Sequence, residues 1–99
     1  MILIADSGST KTDWVLHDGN DIVFRTNTQG LNPTLQSAED IYKVINTELE
    51  GKIAPDAPAT IFFYGAGCAY ETADNRMKKA LEQYFVTRDI HIHSDLLAA

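Results

Sequence analysis

Residues Ile2 to His17 run ILIADSGSTKTDWVLH, and this stretch decides the fold. Ile2 to Ala5 is a short continuous apolar run that ends on a carboxylate and a glycine-containing loop, the pattern of a strand buried on both faces. The loop Ser7 to Lys11 is small and hydroxyl-rich, and Thr12 to His17 resumes as a second strand carrying Trp14, Val15 and Leu16. Asp18-Gly19-Asn20 is hairpin-turn chemistry, because Gly and Asn tolerate positive φ. Ile22 to Thr28 is therefore expected to return as a third strand, antiparallel to the second.

Downstream the period changes. Gln29-Gly30-Leu31-Asn32-Pro33 interrupts the strands, and Leu35, Ala38, Ile41, Val44, Ile45 and Leu49 then follow at helical spacing as one apolar stripe. Ser37 with Asp40 resembles a capping pair, with a start nearer Thr34 as the alternative, and Gly51 is a stop signal. Pro55 and Pro58 bracket a linker to a fourth strand, Thr60 to Tyr64, which ends in Gly65-Ala66-Gly67-Cys68. Met77, Ala80, Leu81, Tyr84 and Phe85 mark a second amphipathic helix, and Asp89 to Ser94 a fifth strand. Asp95-Leu96-Leu97-Ala98-Ala99 reads as the first turn of a third helix, which points to a fragment of a longer chain. The order is βββαβαβ, and strands joined through helices imply right-handed crossovers with the first, fourth and fifth strands parallel.

Composition narrows the function. In 99 residues there are 8 Lys+Arg against 14 Asp+Glu, a net charge of −6, with 44% hydrophobic residues and one cysteine. That is one domain, α/β in class, with no disulfide framework and no four-thiolate metal site. A net negative chain without a basic stripe argues against nucleic acid as a partner. No apolar run is long enough to span a membrane and no secretion signal opens the chain, so a cytoplasmic location is expected.

Candidate chemistry collects beyond the carboxyl ends of the parallel strands, where open α/β sheets bind ligands. Gly8 permits close backbone approach, successive N–H groups of a tight turn attract anions, Ser9 and Thr10 can donate to phosphate oxygens, and Lys11 adds charge. Asp6 is a hard oxygen donor suited to Mg²⁺ through its waters. The plain alternative is a Gly-Ser turn whose terminal Asp accepts turn N–H bonds. Gly65-Ala66-Gly67 is either a simple turn or cleared space for a substrate. Asp95 is either a carboxylate at a helix start or a general base. His91 and His93 share a strand face as a possible metal pair without an evident third ligand. Trp14 belongs in the core or at an edge, His17 in solvent, and Cys68 reads as structural.

The succession DSGSTKTDW, a hairpin, GLNP, FFYGAGC and HSDLLAA resembles the start of the BadF/BadG-type ATPases and the related N-acetylglucosamine kinases, of the actin-like, hexokinase and Hsp70 ATPase superfamily. The phosphate loop, a D-x-G-x-T-x-T pattern, is its most specific part. The resemblance implies an RNase H-like core: a mixed five-stranded sheet, helices on both faces, as residues 1–99 of a two-lobe ATPase whose C-terminal lobe lies outside the chain. It implies ATP and Mg²⁺ as cofactors, an amino sugar as substrate, and room for a homodimer. By position, Asp6 organises Mg²⁺; Gly8, Ser9, Thr10 and Lys11 face the β- and γ-phosphates; Asp95 is the catalytic base; and Asn32, Gly65, Ala66 and Gly67 lie toward the sugar. Ser94 and Ser7 depart from the residues common in relatives, Asn and Gly respectively.

Three readings compete under that resemblance. The leading one is an ATP-dependent sugar kinase, active as the full-length protein and inactive as these 99 residues. An activator ATPase coupling hydrolysis to electron transfer in a dehydratase or reductase would need cluster cysteines beyond Cys68. A non-catalytic lobe that keeps the loop is the third. An RNase H-type nuclease is rejected. It needs carboxylates around two metals about 4 Å apart. In this superfamily's core the fourth strand lies between the first and the fifth, which would start Asp6 and Asp95 about 10 Å apart, and the fourth strand ends without an acid.

Overall fold

A computed structural model describes residues 1–65, 68 and 70–94. Five strands and two helices follow one another as β1 (Ile2–Ser7), β2 (Lys11–His17), β3 (Ile22–Gln29), α1 (Ala38–Leu49), β4 (Thr60–Gly65), α2 (Glu71–Tyr84) and β5 (Ile90–Ser94). The expected element order is observed. The strands form one sheet in the order β3-β2-β1-β4-β5. The β1–β2 and β2–β3 pairs are antiparallel, and β1–β4 and β4–β5 are parallel. The fourth strand does lie between the first and the fifth.

Alternation sorts the side chains. Leu3, Ala5, Trp14, Leu16, Ile61, Phe63 and Ile90 point to one face and are buried there with Ile41, Ile45 and Leu49 of α1 and Met77, Ala80 and Leu81 of α2. Both described helices pack on each other and on this face. Trp14 sits at its centre, fully buried, with Phe63 and Phe85 rings at 6.2 and 6.5 Å. The other face carries Ile4, Asp6, Asp13, Val15, Phe62, Tyr64, His91 and His93, half-buried or exposed. Among the described residues no helix covers it; the expected third helix falls on Asp95 to Ala99, outside the described residues.

Two turn glycines earn their place. Gly19 has φ 104° in the β2–β3 hairpin and Gly51 φ 77° just past α1, both in the left-handed region that glycine enters without steric cost. Ser37 caps α1, its hydroxyl accepting from Asp40 N at 3.1 Å. Leu35 is not part of the apolar stripe: it is 82% exposed, in the turn before the cap. The backbone carbonyl of Asn32 accepts from Leu35 N and Gln36 N there, which closes the turn and swings Leu35 outward. β1 runs two residues further than the apolar run, because Asp6 and Ser7 pair with Asp13 and Thr12 on one side and Tyr64 and Gly65 on the other. The loop between β1 and β2 shrinks accordingly to Gly8, Ser9 and Thr10.

Candidate phosphate-loop site

The carboxyl ends of the parallel strands line up. Ser7 is in register with Gly65, and Gly65 with Ser94. At about 4.8 Å per strand, Ser7 and Ser94 stand roughly 10 Å apart on one rim. Asp95, Ala66 and Gly67 lie outside the described residues; Ser94 and Gly65, which precede them, hold the positions expected of that rim.

The loop on this rim is tight. Gly8 N donates to Lys11 O at 2.8 Å, with Ser9 and Thr10 at the tip, exposed. Neither residue has a positive φ, and neither N–H donates to a backbone carbonyl among the described residues. A Cβ placed on Gly8 would meet only Lys11 O, at an ordinary 3.8 Å. The protein therefore gives no internal reason for glycine at position 8, and open space next to unused N–H donors is what a bound anion requires. Gly30 is the reverse case: a Cβ there would lie 2.6 Å from Gly8 O, so glycine lets the β3 end pack directly on the loop. Gly30 N also donates to Thr10 O at 3.1 Å.

Behind the loop lies a buried hydroxyl network that sequence reasoning missed. Ser7 Oγ donates to Leu31 O at 3.0 Å and accepts from Leu31 N at 2.9 Å. Thr12 Oγ1 donates to Ser7 Oγ at 2.8 Å. Trp14 Nε1 donates to Thr28 Oγ1 at 3.0 Å, and that hydroxyl donates to Gln29 O at 3.1 Å. Ser7, Thr12 and Thr28 are all buried. Each proton has an acceptor, so the network is satisfied, and it clamps the Gly30–Leu31 segment to the loop. The only sequence signal was the spacing of Ser7, Thr12 and Thr28 on the face that also carries Trp14.

The charged groups sit on the uncovered face. Asp6 is exposed and stands directly opposite Asp13 across the antiparallel pair. Like charges facing each other across strands repel. Lys11 Nζ approaches Asp13 Oδ1 at 3.9 Å, an exposed contact worth little. Asp13 was not singled out from the sequence, although Asp6 was. A hard divalent cation suits two such carboxylates, and the residues present fit Mg²⁺ and a polyphosphate.

Asn32 is half-buried. Its Oδ1 accepts from Thr34 N at 2.9 Å, and its N donates to Gln36 Oε1 at 2.7 Å. Its side-chain amide nitrogen has no acceptor among the described residues. Arg76 of α2 reaches Pro33 O at 2.9 Å and ties the helix to this turn. Gly65 is buried, and a Cβ there would strike the Phe63 ring at 2.7 Å, so packing alone accounts for this glycine. Cys68 is buried. His91 and His93 do share a face, but they stack on Phe62 and Tyr64 at 4.9 and 5.4 Å. No group of three metal-ligating side chains occurs among the described residues. His17 is half-buried, its Nδ1 accepting from Gly19 N at 2.9 Å.

A concavity of about 560 Å³ beside Asn46, Glu50, Ile53 and Tyr84 is at the far end of α1. One of about 360 Å³ lies at Lys11, Asp13, Val15 and Arg25, next to the loop on the uncovered face. The second is the one adjoining the candidate chemistry; the first owes its size to the turn after α1.

No protein-family model matches the chain, and none of the curated proteins does. Solved structures do. A candidate N-acetylglucosamine kinase from Porphyromonas gingivalis superposes with a TM-score of 0.86 at 33% identity over 96% of this chain. The likeness is to the N-terminal lobe of the BadF/BadG and N-acetylglucosamine kinase family. The chain has the fold of an actin-like ATPase lobe, as the sequence resemblance implied. It spans 34% of the length of that relative. No helix among its described residues is long and apolar enough to cross a membrane.

Proposed function

We propose that the lobe is the phosphate-binding and base-bearing part of an ATP-dependent kinase acting on N-acetylglucosamine or a close amino sugar, with γ-phosphoryl transfer to a sugar hydroxyl. The reading is carried by one coincidence. A loop with unused N–H donors, a facing pair of carboxylates and the segment leading to Asp95 share one rim, in a fold that a candidate N-acetylglucosamine kinase also has.

In this reading the N–H groups and hydroxyls of Ser9 and Thr10 hold the β- and γ-phosphates, with Gly8 leaving room and Lys11 adding charge. Asp6, with Asp13 opposite, would hold Mg²⁺. Mg²⁺ bound with ATP supplies charge neutralisation on the transferring phosphate. Asn32 offers an amide nitrogen to the sugar, and Gly65, Ala66 and Gly67 are the further residues that the family resemblance assigns to sugar binding. Asp95 takes the proton of the attacking hydroxyl while that oxygen bonds to the γ-phosphorus and ADP leaves. Separation of Ser7 from Ser94 by two strand spacings leaves space for a phosphate on the rim between β1 and β5. With one cysteine, the lobe holds no set of iron–sulfur ligands, and nothing favours the activator ATPase over the kinase.

The test uses the protein that carries this lobe, assayed for amino-sugar-dependent ADP release and, separately, for Mg-ATP binding by calorimetry. General-base loss costs about 10²–10⁴-fold. Asp95→Asn is expected to lower turnover by that range and leave ATP affinity within about threefold. Lys11→Ala is expected to weaken ATP binding. Wild-type turnover in Asp95→Asn on every amino sugar that the parent phosphorylates would remove the base from the proposal.

A further inference from the structure

Asn32 is gripped from both sides by different elements. The residue before it, Leu31, is buried and exchanges two hydrogen bonds with Ser7 Oγ at the end of β1, at 3.0 and 2.9 Å. The residue after it, Pro33, is also buried, and its carbonyl accepts from the Arg76 guanidinium of α2 at 2.9 Å. Between these anchors Asn32 closes its own turn. Its N donates to Gln36 Oε1 at 2.7 Å, and its Oδ1 accepts from Thr34 N at 2.9 Å. The second bond fixes which way the amide is turned, and Nδ2 is the donor left for a ligand.

We infer that Arg76 is a positioning residue for the sugar: it pins Pro33 from α2, 43 residues away in sequence, so that the Asn32 amide is in place before the sugar arrives. Proline has no N–H, so the carbonyl is the one backbone group of Pro33 that another element can hold. Arg76 forms no ion pair among the described residues, and its charge therefore serves this carbonyl. Charge-assisted bonds are the stronger kind. Without Arg76 the segment keeps its anchor at Leu31 and loses the one at Pro33, and the cost of ordering Asn32 falls on sugar binding. The phosphate loop is held separately, by Gly30 N on Thr10 O at 3.1 Å and by the close packing of Gly30 on Gly8 O, so ATP binding does not depend on Arg76. This inference rests on the kinase reading, because only there does Asn32 meet a sugar.

The experiment is steady-state kinetics on the protein that carries this lobe, with N-acetylglucosamine and ATP varied in turn. Arg76→Ala is expected to raise the KM for the sugar about three- to tenfold and to leave kcat and the KM for ATP within about twofold. Arg76 makes a single N–H···O bond to Pro33, which one ammonium can replace, so Arg76→Lys is expected to return the sugar KM to within about twofold of the parent. Because Arg76 acts through Asn32, adding Arg76→Ala to Asn32→Ala is expected to change the sugar KM by less than about twofold. Near-ultraviolet circular dichroism of buried Trp14 checks that each variant is folded. Arg76→Met keeps the apolar stem without the donors and carries the same expectation where Arg76→Ala does not fold. An unchanged sugar KM in the folded variant, an equal rise in the KM for ATP, or a full additional loss on top of Asn32→Ala would each overturn the inference and leave the kinase reading standing. A parent protein that phosphorylates no amino sugar would remove both.

Discussion

Asp74 is the residue whose environment is least comfortable. It lies in the first turn of α2, where a carboxylate suits the helix dipole, yet its Oδ1 is shielded from solvent without a hydrogen bond among the described residues. Burial pushes its pKa up, and the charge of His93 opposes that only in part. The native state thus holds a proton that the unfolded chain has lost, so stability falls as pH rises from the ordinary carboxyl value of 3.8 through the raised one. Asp74→Asn cannot ionise and is expected to escape that loss. Thermal unfolding followed across pH should show the variant ahead by roughly a few tenths of a kcal/mol near neutrality, the gain being limited by solvent screening. The difference should vanish at about pH 3. A gain of the same size at acid pH would mean that helix propensity, rather than the carboxylate, is responsible. Asp18 runs the other way: Asp21 and Asn20 N–H groups, both at 2.8 Å, hold its carboxyl below the usual range.

Among the elements, the β1–β2 loop and the end of β3 behave as one unit, and two glycines separate their roles. Gly30→Ala would drive a methyl group to 2.6 Å from Gly8 O, backbone against side chain, with no flexible neighbour to yield. It is expected to cost about 1–3 kcal/mol of stability and to displace the loop. Gly8→Ala meets no such obstacle and should leave the melting temperature nearly unchanged while weakening Mg-ATP binding in the protein that carries the lobe. Calorimetry and melting curves on both variants check this; a Gly8→Ala protein with unaltered ATP affinity would return the loop to a plain hairpin. The elements themselves were readable from local signals. Ser37, Gly19 and Gly51 act through their own neighbours, so cap and turns fall where the sequence puts them. What joins the elements was not readable. Ser7 bonds to Leu31, 24 residues away, and a serine after a strand looks the same whether it meets phosphate, solvent or a distant backbone. Leu35 misled for a related reason: its spacing fits the helix stripe, but Asn32 closes a turn that takes it out of the helix. Asp13 hid behind its strand, since only the β1–β2 register reveals that it faces Asp6.

At the scale of the molecule, the described lobe has one finished side and one open one. Two helices bury the Trp14 face, while the face bearing Asp6, Asp13, Tyr64 and His93 has no cover among the described residues. The solved relative is about three times as long, this chain matching 34% of it. Phosphoryl transfer draws its rate from positioning and from charge stabilisation in a site closed to water. A single rim can supply phosphate donors and a base, but it cannot close over a nucleotide, and the high dielectric of water around an exposed carboxylate pair weakens its hold on a charged ligand. The 99-residue chain alone is therefore expected to bind Mg-ATP weakly at best and to release no ADP in response to N-acetylglucosamine above the blank, with melting temperature recorded alongside to show that it is folded. Sustained sugar-dependent ADP release by the isolated chain, lost in Asp95→Asn so that contaminating kinase is ruled out, would show that one wall suffices.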